Sequence, residues 1–366
     1  MTLTIGFIGF GLIAGSIARA LKNADADYHL LAYQYSKTPG KGLLQAKAEH
    51  ILDTITPHLA DFSGCDVIFL CAPVDKNLEY VRALAPYLSK TCLLTDVGSV
   101  KGNIHQVIEE LGLTGQFIGG HPMTGSEKTG YEASNALLLE NAYYILTPTT
   151  DTKQETLDFY HALVRQMGAL PIVLDSKEHD EITAAISHVP HIIAAELVNL
   201  VRNSDDLAEK MRTLAAGGFK DITRIASSSP IIWKSICLSN LDSIKTMLRR
   251  YITSLEHTYD ALETQDEKYL HEMFETAGEF RDSLPTRKGS IPRVFELFVD
   301  LRDEAGAIAT IATLLAANQL SIKNIGIIHN REFEQGVLRI EFYEEATLAS
   351  AVTLLKNYHY TVYERK

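Results

Sequence analysis

A chain of 366 residues is too long for one ordinary hydrophobic core, so two or three domains are expected. Its 46% hydrophobic and 22% charged composition excludes a disordered or fibrous chain. A formal net charge of −12 excludes a general binder of nucleic acid or anionic membrane, so any anion site must gather its positive charge locally.

The opening, MTLTIGFIGFGLIAGSIARALK, is apolar but lacks the basic start of a secretion signal. No uninterrupted apolar run approaches the ~20 residues that span a bilayer. The expectation is a cytoplasmic protein with no membrane segment. Cys65, Cys71, Cys92 and Cys237 form no CxxC pair and read as reduced thiols, not disulfides or metal ligands.

Residues 1–176 alternate short apolar runs with helical stretches. Strands are predicted at Thr4–Ile8, His29–Tyr33, Val67–Cys71, Cys92–Asp96, Phe117–Gly119, Tyr143–Leu146 and Pro171–Leu174. Several are apolar throughout, as in a parallel sheet covered on both faces, which predicts a doubly wound α/β domain. From 177 to 284 the strand signals vanish and wide apolar stripes recur at helical spacing. That predicts an all-helical domain whose faces bury against each other or a second subunit. SLPTRKGSIP, residues 283–292, is a linker by composition. Residues 293–366 then restart as strand, helix, strand, strand, helix, strand, a ferredoxin-like βαββαβ order.

The first strand runs into Gly9-Phe10-Gly11-Leu12-Ile13-Ala14-Gly15 and then a helix, the context in which a GxGxxG string is informative. Gly9 allows the tight turn, Gly11 lets the backbone approach a pyrophosphate, and Ala14 or Gly15 allows close helix–strand packing. This is a Rossmann-type dinucleotide site. Where an acid would bind the ribose diol of NAD, the second strand ends in Gln34, followed by Tyr35, Ser36 and Lys37. Gln34 suits a ribose as a neutral partner, and Ser36 with Lys37 suits a 2′-phosphate, so NAD and NADP both stay open. Pro73, after the third predicted strand, lies at the sheet edge where the rest of such a cofactor binds.

Polar groups cluster in Asp96-Val97-Gly98-Ser99-Val100-Lys101, in Gly119-Gly120-His121-Pro122-Met123-Thr124-Gly125-Ser126-Glu127, in Ser187-His188-Val189-Pro190-His191 and in Gly217-Gly218-Phe219-Lys220-Asp221-Ile222-Thr223-Arg224-Ile225-Ala226. The HxxH of His188 and His191, with Pro190 between them and no third ligand, does not read as a metal site. His188 reads as structural and Trp233 as packing. Lys101 is open between site and surface.

In this order, the fingerprint and these four segments resemble the prephenate/arogenate dehydrogenase family over about residues 1–285. Residues 293–366, with Asp303-Glu304-Ala305-Gly306-Ala307-Ile308 between strand and helix, resemble an ACT domain. The resemblance implies oxidative decarboxylation of prephenate with hydride transfer to NAD or NADP, in tyrosine biosynthesis. His121, in the HPM segment, is then the proton acceptor, a role that suits a neutral imidazole. Ser99 holds His121 or the substrate hydroxyl. Arg224 clamps a substrate carboxylate, Lys220 one turn earlier adds charge, His191 binds the side-chain end, and Ser126 and Glu127 line the pocket. It also implies a homodimer and tyrosine as a regulatory ligand of the ACT unit. The alternatives are arogenate as substrate, a hydroxyacid dehydrogenase with a lysine base, and an inactive amino-acid sensor.

Overall fold

The computed structural model describes residues 2–24, 27–125, 128–205, 209–284, 295–301, 304–328 and 336–364. The chain divides into two compact units, residues 1–289 and 290–366.

The first unit opens with β1 (Leu3–Ile8), α1 (Leu12–Asn23), β2 (Tyr28–Tyr33), α2 (Lys41–Ala48), β3 (Thr54–Thr56), β4 (Val67–Leu70), α3 (Val74–Leu84), β5 (Leu93–Asp96) and α4 (Gly102–Glu110). The five strands form a parallel sheet in the order β3-β2-β1-β4-β5. Alternate residues of one strand serve opposite faces. Val67 and Phe69 join α1 in one core, while Ile68 and Leu70 pack with Val81 of α3 and Ile104 of α4 in the other. That is why these strands carry no polar alternation. β3 escaped the sequence reading because TIT is three residues with no apolar run.

Next come β6 (Ile118–Pro122), β7 (Tyr143–Pro148), α5 (Gln154–Gln166) and β8 (Leu170–Val173), a separate sheet in the order β6-β7-β8. A bridge between Leu94 and Phe117 links it to β5. The β6–β7 pair is antiparallel, with His121 opposite Ile145, so the sheet is not parallel throughout. Apolar runs cannot reveal this, because buried strands look alike in either direction.

The rest of the unit is helical: α6 (Ser176–Thr183), a π turn (Ala184–His188), α7 (Val189–Ser204), α8 (Lys210–Leu214), α9 (Gly217–Thr223), α10 (Pro230–Ser239), α11 (Leu241–Thr264) and α12 (Glu267–Ser283). Taken as one element, Ser176–Ser204 is long and apolar enough, by length and composition, to cross a bilayer. Charged residues interrupt it, so it does not show as an uninterrupted apolar run. The core here is small, Ala184, Val189 and Ile244 with their neighbours, while Leu200, Leu214, Ile231, Leu238, Phe274 and Phe280 lie exposed in the single chain.

The second unit contains β9 (Phe295–Leu301), α13 (Ala307–Ala317), β10 (Ile322–Ile328), β11 (Gly336–Phe342), α14 (Glu345–Asn357) and β12 (Val362–Glu364). Its antiparallel sheet has the order β10-β11-β9-β12. Leu297, Val299, Leu338 and Ile340 face Ile311, Leu315 and Leu355 of the two helices.

Candidate active site

The C-terminal ends of β1, β4, β5 and β6 converge, and each brings one part of the site. After β1, Gly9 has φ +85°, and a Cβ there would fall 2.6 Å from the Ala72 nitrogen. Only glycine combines that backbone with so close an approach to the β4 loop. The facing loop is laced by Asn77, whose side chain accepts from the Ala72 N–H at 3.1 Å and donates to the Leu70 carbonyl at 3.2 Å. A Cβ on Gly11 would meet open space, and the first turn of α1 carries no acidic residue. The turn therefore leaves room and unopposed N–H groups for a pyrophosphate. Ala14 is fully buried, as close packing of α1 requires. Pro73 is exposed at the start of α3.

Gln34 is 8% exposed, and its amide donates to the Ser36 carbonyl at 2.7 Å. It therefore holds its own loop, while Ser36 Oγ bonds the Thr38 carbonyl. No carboxylate stands at the end of β2, and the residues fit either form of the nicotinamide dinucleotide.

At the β5 end, Asp96 and Lys101 form a buried ion pair, with side chains 3% and 0% exposed. Lys101 also donates to the Gly120 carbonyl at 2.7 Å, and Asp96 accepts from the N–H groups of Gly98 at 2.9 Å and Gly120 at 3.2 Å. A Cβ on Gly120 would lie 2.6 Å from the Asp96 carbonyl and 2.7 Å from Tyr160 Oη, so glycine is required for β6 to come this close. Lys101 thus belongs to the polar layer beneath His121. Burial pulls its ammonium pKa down, and the Asp96 charge opposes this.

His121 is half-buried near the end of β6. Its Nδ1 lies 2.8 Å from His179 Nε2, and His179 Nδ1 lies 2.8 Å from Asp180 Oδ1. Burial holds the His121 pKa well below the usual imidazole value, and His179, Lys101 and His188 push the same way. The ring is neutral at physiological pH, and its Nε2 has no hydrogen bond among the described residues. Ser99 is half-buried in the β5–α4 turn and makes no side-chain hydrogen bond among the described residues. His121 is held by His179, not by Ser99.

The π turn brings in the SHVPH segment. A turn of this kind inside a helix often marks a functional site. His188 is 1% exposed, with its Nδ1 3.1 Å from Asn240 Nδ2, and burial lowers its pKa to about 4. That is a structural role. His191 Nδ1 donates to the Ser187 carbonyl at 2.8 Å, and its ring stacks on Trp233 at 3.7 Å between centroids and 21° between planes. Trp233 therefore orients His191. Arg224, exposed at the end of α9, is near enough to lower the His191 pKa, after burial. Lys220 is exposed one turn earlier on α9. Ser126 and Glu127 lie outside the described residues.

His179 and Asp180 were missed in the sequence. The available signal was spacing: His179, Asp180, Thr183 and Ala184 fall on one buried face of the helix.

The chain is also similar to known proteins. Residues 17–173 match the family model described as prephenate dehydrogenase, nucleotide-binding domain, and residues 175–276 match prephenate dehydrogenase, dimerization domain. The prephenate dehydrogenase of Bacillus subtilis (strain 168) is 38% identical over 342 residues, 93% of this chain and 92% of that protein. The chain belongs to the prephenate dehydrogenase family. Among solved structures, prephenate dehydrogenase from A. aeolicus, in complex with hydroxyphenyl propionate and NAD+, aligns with a TM-score of 0.73 and 29% identity. That alignment covers 78% of this chain and 99% of the other. Synechocystis arogenate dehydrogenase aligns with a TM-score of 0.69 and 28% identity, covering 77% of this chain and all of the other. The family's nucleotide-binding domain makes this chain an NAD(P)-dependent oxidoreductase.

Proposed function

We propose that this chain converts prephenate to 4-hydroxyphenylpyruvate, an oxidative decarboxylation on the route to tyrosine, with His121 as the base. The observation that carries this reading is a neutral imidazole at the C-terminal edge of the sheet, tied through Nδ1 and open at Nε2. When bound, NAD(P) supplies the hydride acceptor. Gly9, Gly11 and Ala14 hold its pyrophosphate turn, and Gln34, Ser36 and Pro73 line the rest of its path. His121 Nε2 takes the proton of the 4-hydroxyl as that oxygen becomes a carbonyl. Loss of the ring carboxylate as CO2 returns its bonding electrons to the ring, which becomes aromatic. Arg224 grips a substrate carboxylate with two parallel hydrogen bonds, and Lys220 adds charge beside it. His191, oriented by Trp233, meets the side-chain end. Ser99, free of other bonds to described residues, meets the hydroxyl, and Ser126 and Glu127 complete the lining.

Three domains carry these roles: 1–176 for the dinucleotide, 177–284 for substrate and dimerisation, and 293–366 for regulation. The exposed apolar side chains of the helical domain support a homodimer. The βαββαβ order and the strand order β10-β11-β9-β12 support a ferredoxin-like ACT unit that takes tyrosine. Gly306, at φ +92°, begins α13 as such a ligand turn requires. The match to the Bacillus relative is long enough to extend into this unit.

The test is turnover of prephenate and of arogenate with NAD and with NADP, followed at the nicotinamide absorbance. Prephenate turnover that falls by roughly 10²–10⁴-fold in His121→Asn is the expected result. Failure of both substrates with both cofactors overturns the function, and normal turnover in His121→Asn overturns the base.

A further inference from the structure

His179 and Asp180 have no part in the chemistry above, yet they alone among the described residues hold the ring of His121. Asp180 is 7% exposed and reaches from α6 to the start of α4, where Oδ1 accepts from the Lys101 N–H and Oδ2 from the Gly102 N–H, both at 2.8 Å. Both oxygens are therefore acceptors, fixed in place by backbone. His179 is fully buried, and its Nδ1, 2.8 Å from Asp180 Oδ1, must carry the hydrogen of that bond. Burial keeps the ring neutral by lowering its pKa, so its Nε2 is left with a lone pair. His121 Nδ1, 2.8 Å from that lone pair, has only one way to make a hydrogen bond, and that is to donate.

We propose that Asp180 and His179 are positioning residues that lock His121 in its Nδ1–H tautomer, so that the lone pair on Nε2 faces the substrate hydroxyl. The polarity of the chain begins at two backbone N–H groups, which cannot rotate or titrate, and passes through two rings to the base. When Nε2 takes a proton, Nδ1–H is already engaged and the imidazolium forms without reorganisation. The charged and titratable groups facing His121 are His179 and His188 from the helical region and Lys101, backed by Asp96, from the β5 end. Asp180 lies one ring further away.

This inference rests on the reading of His121 as the base, so three variants are compared: His121→Asn, His179→Leu and His179→Gln. Leucine removes the acceptor. Glutamine restores it, because its amide oxygen accepts from His121 while its NH2 donates to Asp180. The expected result is a fall in kcat of ~10²-fold for His179→Leu with KM for prephenate within about threefold, and recovery to within about tenfold of the parent for His179→Gln. A direct measurement on the unsubstituted enzyme is the ¹⁵N spectrum of labelled histidine, with His121→Asn assigning the resonance; His121 appears as the Nδ1–H tautomer. Parental kcat in His179→Leu, with His121→Asn inactive, overturns the positioning role and leaves the base intact. So does an Nε2–H tautomer in the spectrum. An active His121→Asn would instead remove the reading on which the inference stands.

Discussion

Replacing Lys101 with Met tests whether the layer beneath His121 works as an electrostatic unit. Methionine keeps most of the aliphatic stem, so the change falls on the charge. The fully buried ammonium holds the Asp96 carboxylate and the Gly120 carbonyl, and both lose their donor. Breaking a buried pair from one side costs about 3–5 kcal/mol, because the remaining charge stays desolvated. Asp96 retains two backbone donors, from Gly98 and Gly120, which places the loss near the lower end, about 3 kcal/mol. Adding Asp96→Asn removes the stranded charge, so the double variant recovers part of the loss, with a coupling of at least ~1 kcal/mol. Urea unfolding can be followed by the single tryptophan, Trp233, which stacks on His191 in the same unit. A second readout is pH. Lys101 is one of the groups that lower the His121 pKa, so removing it lets that pKa rise toward the ordinary value. His121 works as a base only when neutral, and the acid limb of kcat/KM therefore moves to higher pH. Stability within ~1 kcal/mol of the parent and an unmoved limb would refute the reasoning, for they would mean that the pair is solvated and distant from the base.

Arg224→Ala should raise KM for prephenate by about 2 kcal/mol, roughly 30-fold, the low end for a lost charge pair because the guanidinium is exposed in the single chain; an unchanged KM places the carboxylate elsewhere. Gln34→Asp should raise the NAD-to-NADP ratio of kcat/KM by roughly tenfold, since a carboxylate at the end of β2 repels a 2′-phosphate; an unaltered ratio means that residue 34 does not reach the ribose. Tyrosine should shift substrate affinity several-fold through the C-terminal unit, a coupling of about 1–3 kcal/mol. A chain ending at Leu284 should stay active and lose that response, and inhibition unchanged by the truncation would assign tyrosine to the catalytic pocket.

Local chemistry was legible without coordinates. A glycine turn between the first strand and helix needs only neighbouring residues to declare itself, since the positive φ of Gly9 and the room at Gly11 are properties of a few adjacent positions. Apolar runs announced the strands of the covered sheet, and helical spacing announced the second domain. His121 stood out because a histidine between Gly-Gly and Pro has no good place in a core. What remained hidden depends on pairing across distance. The antiparallel turn of β6 against β7, the Lys101–Asp96 pair beneath Gly120 and the contact of His121 with His179, 58 positions apart, are made by folding and leave no local period. Asp180 reads in the sequence as one more acid on a polar helix start. Only the packing of α6 against α4 puts its carboxylate on two backbone donors 79 and 78 positions away, and only there does it become buried and directional. The sequence by itself determined which residue types were available and on which faces they lie. The tertiary structure decided which of them lost water and met a partner, and desolvation with a fixed partner is what gives a histidine its tautomer and its pKa.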